Sequence, residues 1–243
     1  MTEMPNPTTA LPPTPPLHDI SIRKGDKSNY GNGTIADRLV LSERATYELN
    51  NDPQVQAMMF PFGYNSIKIA RFTEIQAAAA EAQTTQQIEY GEKTGTYDKF
   101  EKKFKIAKIE LSSIVKVAKV ALKNDSMLSD KLNLYGKKYG KTNDIFAYMD
   151  SFYNAILRER SIVEMLTAYG YNEARIIACK ETYLEARETY NIYNSENAEA
   201  MESTRIRDEK MAELNEWMYD YYALSKVAYL QRNLLSEQPQ NNQ

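Results

Sequence analysis

The sequence predicts an all-α protein: an up-and-down helical bundle built from two tandem three-helix repeats, with an extended N-terminal arm. Three observations predict it. No proline lies between Pro61 and Pro239 and no glycine follows Gly170, so the turns of a strand-rich domain have little to mark them. The interior is rich in Ala, Glu, Lys, Leu, Met and Gln, which lose little on entering a helix. The chain also matches itself, without gaps, at the one offset that carries Gly63 onto Gly170.

Residues 1–34 form the arm. Six of the nine prolines lie between Pro5 and Pro16, including the run Pro12-Pro13-Thr14-Pro15-Pro16, which favours extended polyproline conformation. Apolar residues here are too few to make a core. Leu17, Ile20 and Ile22 are spaced as an extended docking segment, and Arg23, Lys24 and Lys27 follow, which suits an acidic partner surface. The start of the chain lacks the basic and apolar regions of a signal peptide, and no window reaches the ~20 apolar residues of a membrane span. A cytoplasmic protein, or part of a particle assembled in the cytoplasm, is expected.

The internal match is clearest where Phe62-Gly63-Tyr64-Asn65 aligns with Tyr169-Gly170-Tyr171-Asn172. Ile69 then aligns with Ile176, Glu74 with Glu181, Ala79 with Ala186, Glu81 with Glu188, and Lys119-Val120-Ala121 with Lys226-Val227-Ala228. Gly63 and Gly170 suit the left-handed residue that ends a helix, Tyr64 and Tyr171 fold back on the last turn, and Asn65 and Asn172 cap the next helix. Helices are predicted at 36–60, 66–90, 97–124, 143–168, 173–196 and 203–235. Asp52-Pro53 marks a break in the first. Turns are expected at Gly91–Thr96 and, more loosely, Asn194–Ser203. The domains are then 35–125 and 142–235, joined by a linker at 126–141 and followed by a polar tail at 236–243. Phe100, Phe104, Ala107, Leu111, Ile114, Ala118 and Ala121 follow a heptad seam. Six helices in one core and two three-helix units are both compatible with this pattern.

Composition limits the chemistry. The single histidine, His18, lies in the arm, so the bundle can build neither a Ser-His-Asp triad nor the Glu-x-x-His ligands of a di-iron site. Glu74, Glu81, Glu181 and Glu188 read instead as flank partners of Lys119 and Lys226. The only cysteine, Cys179, falls on an apolar stripe and reads as a buried thiol. No glycine-rich phosphate loop is present, and neither a cofactor nor a metal is expected. Thirty basic against 33 acidic residues give a net charge of -3, which disfavours nucleic acid and anionic membranes as partners.

Binding signals remain. Lys102, Lys105 and Lys108 belong to a lysine-rich face that suits an acidic protein partner. Eighteen tyrosines against seven phenylalanines, with Tyr219 and Tyr222 among them, suit half-buried protein contacts. The expected function is non-enzymatic: a structural or interaction protein within a homo-oligomer or multi-subunit assembly, a virion being one example. A pore-forming helical bundle and a small-molecule-binding or enzymatic bundle are the alternatives.

Overall fold

A computed structural model describes residues 33–136 and 140–236. Leu17, Ile20, Ile22 and nearly all of the tail lie outside the described residues. Within them the chain forms seven α-helices and no strand.

Helix α1 (Ile35–Asn51) starts with a reciprocal cap: the Thr34 hydroxyl accepts from the Asp37 amide, and the Asp37 carboxylate accepts from the Thr34 amide. Those hydrogen bonds hold the Asp37 carboxyl below its usual range. Asp52 is extended and ends α1. Its carboxylate accepts from the amides of Gln54 and Val55, which starts α2 (Pro53–Met59) with proline where no amide donor is needed.

A short 3₁₀ turn leads to Gly63, at φ 82°. The Tyr64 amide donates back to the Met59 carbonyl at 3.3 Å, and the Asn65 side-chain oxygen accepts from the Lys68 amide at 3.0 Å. Helix α3 (Ser66–Ala121) follows. Asp125 caps α4 (Ser126–Lys131). Glu159, again extended, separates α5 (Thr142–Arg158) from α6 (Arg160–Thr167). At the second corner Gly170 has φ 83°, the Tyr171 amide donates to Leu166 at 3.1 Å, and Asn172 accepts from the Arg175 amide at 2.9 Å. Helix α7 (Glu173–Ser236) completes the described chain.

The two turns expected at 91–96 and 194–203 do not form. Each joins what were to be the second and third helices of a repeat, so the three-helix description gives way to one continuous rod after each corner. Gly91 and Gly95 lower helix propensity by about 1 kcal/mol each relative to alanine, which is too little to break a helix that is packed on both sides of them. The Thr94 and Thr96 hydroxyls donate to the carbonyls of Tyr90 and Glu92 one turn earlier, so neither offers its own backbone a competing turn. Residues 194–203 contain neither glycine nor proline, and Ser203 and Thr204 donate back to the Ala200 carbonyl in the same way.

The chain divides into two compact units, and the long helices pack together within each. The first comprises the described residues up to 79 and those from 211 onward. Its core joins Leu49 of α1, Met59 of α2, and Tyr64 and Phe72 around the start of α3 to Leu214, Met218 and Tyr221 of α7. Phe72 stacks on Trp217 with ring centres 5.8 Å apart, and Tyr64 meets Tyr221 edge-on at 6.0 Å. Burying each such side chain contributes about 1.5–3 kcal/mol, whereas the exposed Arg71–Glu213 pair adds about 1 kcal/mol at most.

The second unit comprises residues 80–210. Phe104 and Ile114 of α3, Leu128 of α4, Phe146, Phe152 and Tyr153 of α5, Ile162 of α6 and Ile176 of α7 share its core. Phe104 and Phe146 lie 5.0 Å apart, and so do Phe100 and Tyr190. Of the heptad residues, Phe100, Phe104, Ala107, Ile114 and Ala118 are buried, and Leu111 and Ala121 are half-buried. Tyr183 donates its hydroxyl to Asp150 at 3.1 Å and accepts from Arg187 at 3.1 Å.

Two sets of substitutions test this fold by chemical denaturation. Gly63→Ala and Gly170→Ala, which force alanine into positive φ, should each lower stability by about 1–2 kcal/mol. Gly91→Ala and Gly95→Ala, with open space around the added methyl group, should each raise it by about 0.5–1 kcal/mol. The Tyr153 hydroxyl is buried without a hydrogen-bond partner among the described residues, and burial raises its pKa. Tyr153→Phe should therefore be neutral or stabilise by up to about 1 kcal/mol, while Tyr183→Phe, which loses two hydrogen bonds, should destabilise by about 1 kcal/mol.

Candidate interaction surfaces

Helix α3 buries one stripe in the second unit and leaves the opposite stripe in water. Because its buried residues follow a four-three spacing, the same spacing shifted half a turn gives Lys102, Ile106, Ile109, Ser113, Lys116 and Val120, all exposed. Ile106, Ile109 and Val120 are each more than half exposed. Lys99, Lys105, Lys108 and Lys123 flank this stripe. Lys102 and Lys105, singled out from the sequence, pair with no carboxylate among the described residues. Lys108 also faces solvent, with its ammonium 4.8 Å from the Phe104 ring centre. One lysine of this helix does pair with α7: Lys103 donates to Glu185 at 3.0 Å.

Helix α7 shows a matching pattern in the same unit with the opposite charge. Ile177, Glu181, Leu184, Glu188 and Ile192 are exposed, on the side away from Ile176, Cys179, Tyr183 and Ala186. The neighbouring cations point elsewhere. Lys180 donates to Asn154 at 2.8 Å and Arg187 to Tyr183, so neither offsets Glu181 or Glu188.

In the first unit the two tyrosines singled out from the sequence separate. Tyr219 is exposed, followed on one helical stripe by Ala223, Val227 and Leu230. Tyr222 is half-buried against the unit core, with its ring 5.7 Å from that of Tyr221. Burial, with Glu48 nearby, pushes its hydroxyl pKa up.

The corner residues each have a defined place. Gly63 and Gly170 are the left-handed residues, Asn65 and Asn172 are side-chain caps, and Tyr64 and Tyr171 are buried. A cation covers each tyrosine: Lys68 Nζ lies 4.1 Å from the Tyr64 ring centre, and the Arg175 guanidinium 4.2 Å from that of Tyr171. Burial pushes the Tyr64 pKa up to about 12, with Asp220 adding to the effect.

Other groups considered from the sequence settle into structural places. Cys179 is buried, and desolvation, with Glu110 nearby, raises its thiol pKa, the opposite of nucleophile activation. Glu74 pairs with Arg71, and Lys119 lies 5.0 Å from the Tyr135 ring centre.

Sequence reasoning missed two features. It took the lysines of α3 without the isoleucines that alternate with them, although half-turn spacing was available to find both. It also missed a cluster in the second unit, where carboxylate oxygens of Glu89, Glu196 and Glu199 lie within 4.8 Å of one another. Finding that cluster requires the register between α3 and α7. Desolvation, then Glu199, Glu92 and Glu89, raise the Glu196 pKa. The cluster is a site of like-charge repulsion. Among the described residues, no helix is long and apolar enough to cross a membrane. No family model matches this chain, and no curated protein or solved structure does so either.

The carboxylate cluster gives a pH test. Because the folded pKa of Glu196 is raised above 4.5, the unfolded chain ionises first as pH rises. Stability contributed by the protonated form is complete below 4.5 and is lost as pH climbs through the folded pKa. Glu196→Gln should therefore be more stable than the parent at neutral pH, with the difference vanishing below that window. Denaturant midpoints measured across the pH range check both the sign and the window.

Proposed function

We propose that this chain is a non-enzymatic structural protein, a duplicated helical module that serves as a subunit of a larger protein assembly. The observation that carries the reading is the set of outward helix stripes in which apolar residues recur at helical spacing. Tyr219, Val227 and Leu230 in the first unit and Ile106, Ile109 and Val120 in the second are all exposed. Single exposed apolar residues are ordinary, but aligned stripes of them favour contact with another surface.

Duplication fits this reading, and several agreements at one offset support it. The shift that carries Gly63 onto Gly170 also carries both ends of α1, Ile35 and Asn51, onto both ends of α5, Thr142 and Arg158. It carries the start of α2, Pro53, onto that of α6, Arg160, and the start of α3, Ser66, onto that of α7, Glu173. Buried pairs recur under the same shift: Leu49 with Ile156, Val55 with Ile162, Met59 with Leu166, Phe72 with Cys179, and Ala79 with Ala186. The cation over the corner tyrosine recurs too, as Lys68 and Arg175. A duplicated module presents related surfaces twice, which suits a part that touches several neighbours.

The N-terminal arm belongs to the same reading as a docking element for a neighbouring chain, through Leu17, Ile20 and Ile22. Light scattering and native mass on the full chain test the function. The expected result is a discrete species above the 27.9 kDa monomer mass, weakened when residues 1–22 are removed while helix content stays unchanged. A clean monomer at every concentration reached contradicts the reading.

A further inference from the structure

We infer that the exposed stripe of α3 in the second unit binds the exposed stripe of α7 in a second copy of this chain. The inference rests on the assembly reading above and names the partner. Two observations single out a second copy. The stripes carry opposite charge in matching alternation with apolar residues, and both belong to the same unit of the same chain. On α3, Ile106 and Ile109 lie between Lys102 and Lys105 on one side and Lys116 on the other. On α7, Leu184 lies between Glu181 and Glu188.

The charges are available for pairing. Lys102, Lys105 and Lys116 meet no carboxylate, and Glu181 and Glu188 meet no cation, among the described residues. Glu181 and Glu188 are two turns apart, about 10.5 Å along the helix. An antiparallel approach that seats Leu184 on Ile106 and Ile109 brings Glu188 to Lys102 and Lys105, and leaves Glu181 about 8 Å along the helix from Lys116. Apolar burial supplies affinity in such a contact, and charge sets register and partner choice. The contact is made twice about a two-fold axis in a closed dimer, or once per neighbour in a head-to-tail array. Only the head-to-tail form, repeated, closes a ring or extends a filament.

Charge reversal in the full chain tests the inference by sedimentation velocity. One variant carries Lys102→Glu and Lys105→Glu, and the other Glu181→Lys and Glu188→Lys. Each alone should associate about tenfold or more weakly than the parent, and the parent's association should fall with added salt. An equimolar mixture of the two variants should recover association, because each reversed stripe then meets an opposite charge. Circular dichroism checks that both variants keep the parent's helix content.

Four results would overturn the inference. Equal association of parent and variants removes these stripes from the assembly and leaves the assembly reading intact. Association lost only when residues 1–22 are deleted makes the arm the occupant. Variants that weaken without recovering on mixing contradict the pairing of the two stripes. A monomeric parent that binds phosphatidylserine vesicles through the α3 lysines makes a lipid surface the partner.

Discussion

Each unit depends on a reversal of the chain that only a residue at positive φ makes cheaply. Gly63 and Gly170 end their short helices at φ 82° and 83°. An L-residue with a Cβ would lose about 1–2 kcal/mol in that conformation. The reversal places the next residue, a tyrosine, inside its unit. It leaves the asparagine after it free to cap the long helix that follows. Short helix, corner and long rod are thereby fixed relative to one another within a unit. The apolar faces of the short helices then have a rod to pack against.

Continuity of the rods determines what those faces meet. The first unit contains the start of α3 and the end of α7, and the second contains the start of α7 and the end of α3. The core of each unit is therefore assembled from distant parts of the sequence: Phe72 packs on Trp217 in the first, and Phe104 on Phe146 in the second. Between Ala82 and Phe100 on α3 the seam positions hold polar residues, among them Gln86, Glu89, Lys93 and Thr96, each partly buried. That stretch gains little from apolar burial and carries the repulsion around Glu196. Its backbone hydrogen bonds and the packing of the helix on either side of it maintain it.

The corners were the most legible part of the sequence, because a glycine, an aromatic residue and an asparagine in succession have few other physical explanations. The long helices begin at 66 and 173 as the capping pattern predicts, and of the heptad residues of α3 Phe100, Phe104, Ala107, Ile114 and Ala118 are buried while Leu111 and Ala121 are half-buried. Helix continuity was less legible. Gly91, Gly95 and the nearby threonines resemble a turn when only local preference is weighed, and tertiary packing overrides a cost of about 1 kcal/mol per glycine. Pairing between distant segments was not legible either. Periodicity shows which face a helix buries and is silent on which helix covers it. The same gap hid the carboxylate cluster, in which Glu89 reaches Glu196 and Glu199 only through the register of α3 against α7. Tyr222 shows a further limit, since composition cannot separate a tyrosine that fills a core edge from one, like Tyr219, that faces water.

Residues 33–79 and 211–236 form one compact unit and residues 80–210 another, and each is expected to open as a unit. Native-state hydrogen exchange on the full chain carrying Leu214→Ala tests this most directly. Loss of that fully buried side chain costs about 2–5 kcal/mol locally. The account predicts faster exchange in α1, α2 and residues 66–79 together with 211–228, while residues 146–166 keep the parent's protection. Loss of protection across 146–186 alongside 211–228, with 35–79 unchanged, would contradict it.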